Sequence, residues 1–158
     1  MLRREQIIGV VSSWDIRWKE SEGCSLLITD SRVVGAGFPV FDDNFWGYFP
    51  PGKERDPGLA REAERRAEEI LLRKSFELQR DKIVKIIYYK PGMMLGGRLL
   101  LATVGRKVEL SITVISAWNP GVLETIKTTL SALLVFAPEK LYDEKTGARI
   151  RDEGALPG

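Results

Sequence analysis

Residues 82–136 read KIVKIIYYKPGMMLGGRLLLATVGRKVELSITVISAWNPGVLETIKTTLSALLVF, and this stretch decides the fold. Val108, Leu110, Ile112 and Val114 alternate with Lys107, Glu109, Ser111 and Thr113. Side chains alternate faces along a strand, so this run predicts a strand with one face on a core and one in water. Val104-Gly105-Arg106-Lys107 reads as a hairpin turn, with Gly105 free to take a positive φ. Arg98 to Thr103 is its partner strand, and Ile83 to Tyr89 is a third, joined through the loop Pro91 to Gly97. Asn119 is placed to cap a helix, with Pro120 at its first position, where a missing N–H costs nothing. Leu123, Ile126, Leu130, Leu133 and Leu134 then recur at helical spacing, with Lys127, Thr128 and Ser131 off the stripe. Pro138 stops the helix. The stripe requires a partner surface, and the sheet supplies one.

Composition narrows the chemistry. The chain has 158 residues, a net charge of +2, one cysteine and no histidine. That length suits one domain with a real core. The near-neutral charge demands neither nucleic acid nor an anionic membrane. Absence of histidine removes Ser-His and Cys-His nucleophile pairs and imidazole metal sites. A lone Cys24 excludes an intramolecular disulfide and multi-cysteine metal sites. No apolar run approaches the ~20 residues of a membrane span. Met1 to Gln6 lacks the apolar centre of a signal peptide, so the expected location is the cytoplasm. Asn44, Asn119, Gln6 and Gln79 are the only amides. With abundant Arg and Glu, this scarcity points to a thermophilic source.

From the N-terminus, four short strands are expected at Gln6 to Val11, Trp14 to Trp18, Ser25 to Thr29 and Arg32 to Ala36, joined by polar turns as a meander. Residues 37–75 then break the pattern. Phe38, Phe41, Phe45, Trp46, Tyr48 and Phe49 crowd one stretch. Asp56-Pro57 starts a helix running to about Lys74. Glu62–Arg66, Arg65–Glu69 and Glu69–Arg73 stand four apart and support it weakly. Its apolar seam is Leu59, Ala63, Ala67, Ile70 and Leu71. Phe76 and Leu78 start a further strand before the stretch that begins at Lys82. Residues 139–158 form a charged, balanced tail, expected to be the least ordered part.

Two stretches carry a family resemblance. Leu26-Leu27-Ile28-Thr29-Asp30-Ser31-Arg32-Val33-Val34-Gly35 resembles the third-strand turn of GRAM and bacterial PH-like domains. Phe76-Glu77-Leu78 followed by Asp81-Lys82-Ile83-Val84-Lys85-Ile86 is similar to their fifth-strand entry, and Gly96-Gly97 before Arg98 also fits. The resemblance covers roughly Ile7 to Phe136. It implies a mainly β fold: a seven-stranded antiparallel barrel of two orthogonal sheets, capped by a C-terminal helix. Here a helical insertion stands between strands 4 and 5. Residues 1–138 would form this single domain. No cluster matches the basic phosphoinositide-binding loop of lipid-binding members, and the fold is a scaffold with many uses.

Several candidate sites follow. The aromatic stretch Phe41, Phe45, Trp46, Tyr48 and Phe49, with the Leu59, Ala63, Ala67 and Ile70 seam, is a candidate interface if exposed, and packing over the sheet edge is the competing reading. The loop bearing Lys90, Met93, Met94, Leu95 and Arg98 is a candidate lipid or partner contact, against a glycine bulge folded back on the sheet. Lys82, Lys85, Lys90, Arg98, Arg106 and Lys107 would bind phosphate groups only by converging on one face. Lysines that merely block strand edges are the alternative. Asp42, Asp43, Glu62 and Glu64 are weak metal or acid–base candidates, since the glutamates have helix Arg partners. Cys24 reads as a small core residue. The reading is a non-catalytic binding or scaffolding module, self-associating or meeting a protein partner, with no cofactor and no specific nucleic acid. One alternative is a peripheral adaptor for anionic lipid headgroups. The other is a carboxylate- or metal-dependent enzyme.

Overall fold

The computed structural model describes residues 5–19, 23–37, 44–91, 96–112 and 120–150. They form a mainly β protein with two sheets and two α-helices. Ten strands are present among the described residues: β1 (Ile7–Ser13), β2 (Ile16–Trp18), β3 (Cys24–Thr29), β4 (Arg32–Ala36), β5 (Phe45–Tyr48), β6 (Phe76–Gln79), β7 (Ile83–Tyr89), β8 (Gly97–Thr103), β9 (Arg106–Ile112) and β10 (Leu141–Asp143). Helix α1 is Pro57–Leu72 and helix α2 is Pro120–Phe136.

The first sheet has the order β5-β1-β3-β4-β6 and the second β10-β7-β8-β9-β2. Ten strands replace the expected seven, and no ladder among the described residues closes them into a barrel. Three features account for the difference. The aromatic stretch contributes β5, which pairs with β1. The strand expected at Phe76 and Leu78 is β6, additional to the seven; it pairs with β4, and a 3-10 turn at Arg80–Lys82 carries the chain on to β7, which pairs with β8. Finally, β10 joins β7 in parallel, so the second sheet is mixed. The segment from β1 to β2 likewise passes from the first sheet to the second, since β2 pairs with β9. These two sheet-switching segments form corners, and both sheets face one shared core.

The stretch expected to be a polar tail continues the fold. Leu141 is fully buried, and Ile150, whose N–H donates to the Leu141 carbonyl at 2.8 Å, is buried too. One or two apolar residues in a charged segment suffice when they land on the rim of a core.

The first sheet is covered on both faces, as the unbroken apolar run Leu26-Leu27-Ile28 requires. Leu26 and Ile28 join the main core, with α2 and the second sheet, while Leu27 points to the opposite face and α1. On β1 the register with β3 shifts between Ile7 and Gly9. This bulge lets Ile8 and Val11 reach the main core while Val10 faces α1. Gly9 sits against α2: a Cβ there would fall 2.7 Å from Ala132 Cβ. Helix α2 buries a broad face that includes Thr128, and leaves Glu124 and Lys127 exposed with Ser131 and Val135 half-buried beside them. Thr125 and Thr129 hydroxyls satisfy themselves by donating to the carbonyls four residues back, Gly121 and Thr125. Asn119, the expected cap, lies outside the described residues.

Helix α1 begins where the sequence sets it. Asp56 accepts a hydrogen bond from the Leu59 N–H at 2.9 Å, and Pro57 follows. Ala63, Ala67 and Ile70 are buried against Ile7, Val10, Leu27, Val34 and Ala36 on the outer face of the first sheet. The alanines let the helix axis come close to the strands.

Candidate functional site

That packing relocates the expected interface. Phe45 is half-buried in the α1 layer, with the Arg66 guanidinium over its ring at 4.3 Å. Phe49 is 3% exposed in the same layer, beneath Arg55 at 5.0 Å. Leu59, Ala63, Ala67 and Ile70 complete it. Tyr48 packs against the main core. Of the candidate interface, Trp46 alone among the described residues is exposed, at 38%. The seam is used within the chain because the first sheet needs a cover on its outer face. Phe41, Met93, Met94, Leu95, Asp42 and Asp43 lie outside the described residues.

The Thr29–Arg32 turn is structural. Thr29 Oγ1 accepts from the Ser31 and Arg32 N–H groups and donates to Glu5 at 2.7 Å. Arg32 bridges Glu5 at 2.6 Å and Glu77 at 2.8 Å, tying the N-terminus, the turn and β6 together. Burial raises the Glu5 carboxyl, but hydrogen bonds from Arg32, Thr29 and Ser31 outweigh it and leave its pKa below the ordinary value. Glu77 behaves alike: burial raises it, and Lys74 and Arg32 more than offset that. Glu62 is engaged by Arg65 and Arg66, which lower its pKa. Among the described residues no three His, Cys, Asp or Glu side chains gather as a metal set. Burial pushes the Cys24 thiol up to about 12, so it stays protonated and inert.

Inside the main core, Ile16, Leu26, Tyr88, Leu99, Leu110, Ile126 and Thr129 line a cavity of about 10 Å³, which holds no more than one water. The buried Tyr88 hydroxyl has no hydrogen-bond partner among the described residues. Burial first, and the Asp143 carboxylate second, push its pKa up to about 12. This space is too small for an organic ligand.

The outer face of the second sheet is different. Both helices make their main packing contacts with strands of the first sheet. From Lys107 onward burial in β9 alternates strictly, with Val108, Leu110 and Ile112 inward and Lys107, Glu109 and Ser111 outward. The register then builds three outward rows. Lys85 lies opposite Ala102, and Ala102 opposite Lys107. Tyr142, Ile87, Leu100 and Glu109 form the middle row. Tyr89, Arg98, Ser111 and Arg17 form the third. Lys85, Lys107, Arg98, Arg17 and Glu109 are exposed, while Ile87, Leu100, Tyr89 and Tyr142 are half-buried between them. Arg98 stacks over Tyr89 at 4.1 Å and also meets Glu109 at 3.2 Å. Lys85 Nζ sits 5.6 Å from the Tyr142 ring centre.

Three members of the expected basic set, Lys85, Arg98 and Lys107, therefore converge. Lys82, Lys90 and Arg106 do not belong to these rows, although each is exposed nearby. Arg17 was missed because its partner strand β9 is some ninety residues away in sequence. Tyr142 carries no signal in sequence because β10 lies in a charged segment whose composition predicts a tail. The face gathers four cations against one carboxylate, in a chain whose whole net charge is +2. No family model, curated protein or solved structure matches the chain.

Proposed function

We propose that the chain is a non-catalytic binding module of PH-like arrangement, and that its working surface is the outer face of the second sheet, which takes an anionic partner. The PH-like part is supported by the two sheets around one core, the sheet-switching corners and the helix that follows the last hairpin. The binding part rests on one observation: Arg17, Lys85, Arg98 and Lys107 surround half-exposed Tyr89, Ile87, Leu100 and Tyr142 on an open sheet face. All main-chain groups in the middle of a sheet are spent in ladders, so only side chains contact a ligand there. These side chains offer positive charge, rings and aliphatic surface. Self-association through α1 has lost its apolar seam to the first sheet.

The test is retention on a polyanion resin at low salt. Wild type is expected to bind, and Lys85→Glu/Lys107→Glu to elute early. The same double reversal at α1 and the residue that caps its C-terminus, Arg61→Glu/Arg73→Glu, is expected to elute with wild type. Equal loss in both variants would mean that retention reads net charge alone and would overturn the assignment of the face.

A further inference from the structure

We infer that the anionic partner of this face is a single strand of nucleic acid, held without sequence preference. This inference rests on the reading above and names its ligand. Two features favour it, and each rival polyanion lacks a match to one of them. Anionic groups of a strand match the spread of the cations: Lys85 and Lys107 stand on strands two apart, about 10 Å across the sheet. Tyr142 and the Arg98-covered Tyr89 offer planar surfaces, and bases stack on both rings and guanidinium planes. A duplex hides its base planes and would leave those rings unused. An acidic peptide brings carboxylates but no flat groups.

Other occupants fit less well. A bilayer surface is best met by protruding apolar side chains, whereas Ile87 and Leu100 are half-buried in the middle row, among the exposed cations. A second copy docking by the same face would bring four cations against four. Ser111 and Glu109 are the only non-basic polar side chains in these rows besides the tyrosine hydroxyls. Base-edge readout by hydrogen bonds is thus thinly provided, consistent with binding through charge and stacking.

The experiment is fluorescence anisotropy of a labelled oligouridylate and a labelled oligothymidylate with the full chain, repeated at several salt concentrations. Three to four neutralised phosphates give an affinity that falls about 20- to 50-fold between roughly 50 and 200 mM salt. Lys85→Ala/Lys107→Ala is expected to weaken binding and flatten that salt dependence. Tyr142→Ala is expected to lose about 5-fold or more at an unchanged salt slope, and Tyr142→Phe, which keeps the ring, to bind as wild type does. Melting curves show whether each variant is folded. The inference is overturned if the oligonucleotides do not bind at low salt, if a duplex binds more tightly, or if Lys85→Ala/Lys107→Ala binds like wild type. Polyglutamate and phosphatidylserine vesicles run alongside. If either binds through Lys85 and Lys107 while oligonucleotides do not, the ligand is wrong and the face stands. If no anion binds, the face falls too.

Discussion

Gly35→Ala should be among the most damaging small substitutions in this protein. Gly35 on β4 lies directly opposite Phe76 on β6. A Cβ added at Gly35 would fall 2.1 Å from Phe76 Cζ and 2.2 Å from Cε2. Ordinary carbon contacts need about 3.5–4.0 Å, so the ring must retreat by roughly 1.5 Å. It has little room to do so: Phe76 is buried, and Trp18 lies against it at 5.5 Å between ring centres, tilted by 44°. Overpacking of this kind costs about 1–3 kcal/mol, partly offset by the roughly 0.5–1 kcal/mol that alanine gains over glycine within a strand. A net loss of about 1–2 kcal/mol is expected. Phe76→Leu alone opens space and costs about 1–2 kcal/mol. In the double variant the clash is gone, so it should cost no more than Phe76→Leu by itself. Urea unfolding followed by tryptophan fluorescence measures all four corners of this cycle, and an unchanged m-value shows that stability alone has moved. A Gly35→Ala variant within about 0.5 kcal/mol of wild type, or strictly additive costs, would refute the reasoning.

Other outcomes follow from the same geometry. Leu141→Ala should cost about 2–5 kcal/mol, because β10 is part of the core, and a variant of wild-type stability in urea would show that it is not. Tyr88→Phe should be neutral or stabilising by up to about 1 kcal/mol, since it deletes a buried hydroxyl with no partner among the described residues; a clear loss in thermal melting would contradict this. The Glu5 and Glu77 carboxyls have folded pKa values below the ordinary 4.5. Their contribution is therefore present in full above that value and is lost as pH falls through the lower folded values. Arg32→Met removes the partner that depresses both, so the variant's stability should depend less steeply on pH in that acid range, and parallel stability–pH curves would count against the network.

The local chemistry of the fold was legible where pattern and period agree. The alternation from Lys107 to Ile112 gave β9 and its inward face, and Asp56-Pro57 with four-apart ion pairs gave α1. What stayed hidden depends on contacts between distant residues. Phe45-Trp46-Gly47-Tyr48 has no polar–apolar alternation, because both of its faces meet apolar layers, so β5 read as loop. β10 exposes its membership only through Leu141, and a parallel pairing leaves no turn signal. The same distance separates a basic set in sequence from a basic face in space. Lys85, Arg98 and Lys107 become neighbours of Arg17 and Tyr142 only once the registers of β7, β8, β9, β2 and β10 are known. The aromatic insertion shows the converse: its rings left an exposed patch and packing over the sheet edge both open, and the first sheet, which needed a cover, took Phe45, Phe49 and the alanine seam of α1 for it.

The most direct measurement is an amide-resolved NMR titration of the full chain with a short oligouridylate. The account predicts chemical-shift changes centred on residues 85–89, 98–102, 107–111, Arg17 and Tyr142, with α1 unmoved. Changes centred on α1 or on Trp46, or none at saturating oligonucleotide, would contradict it.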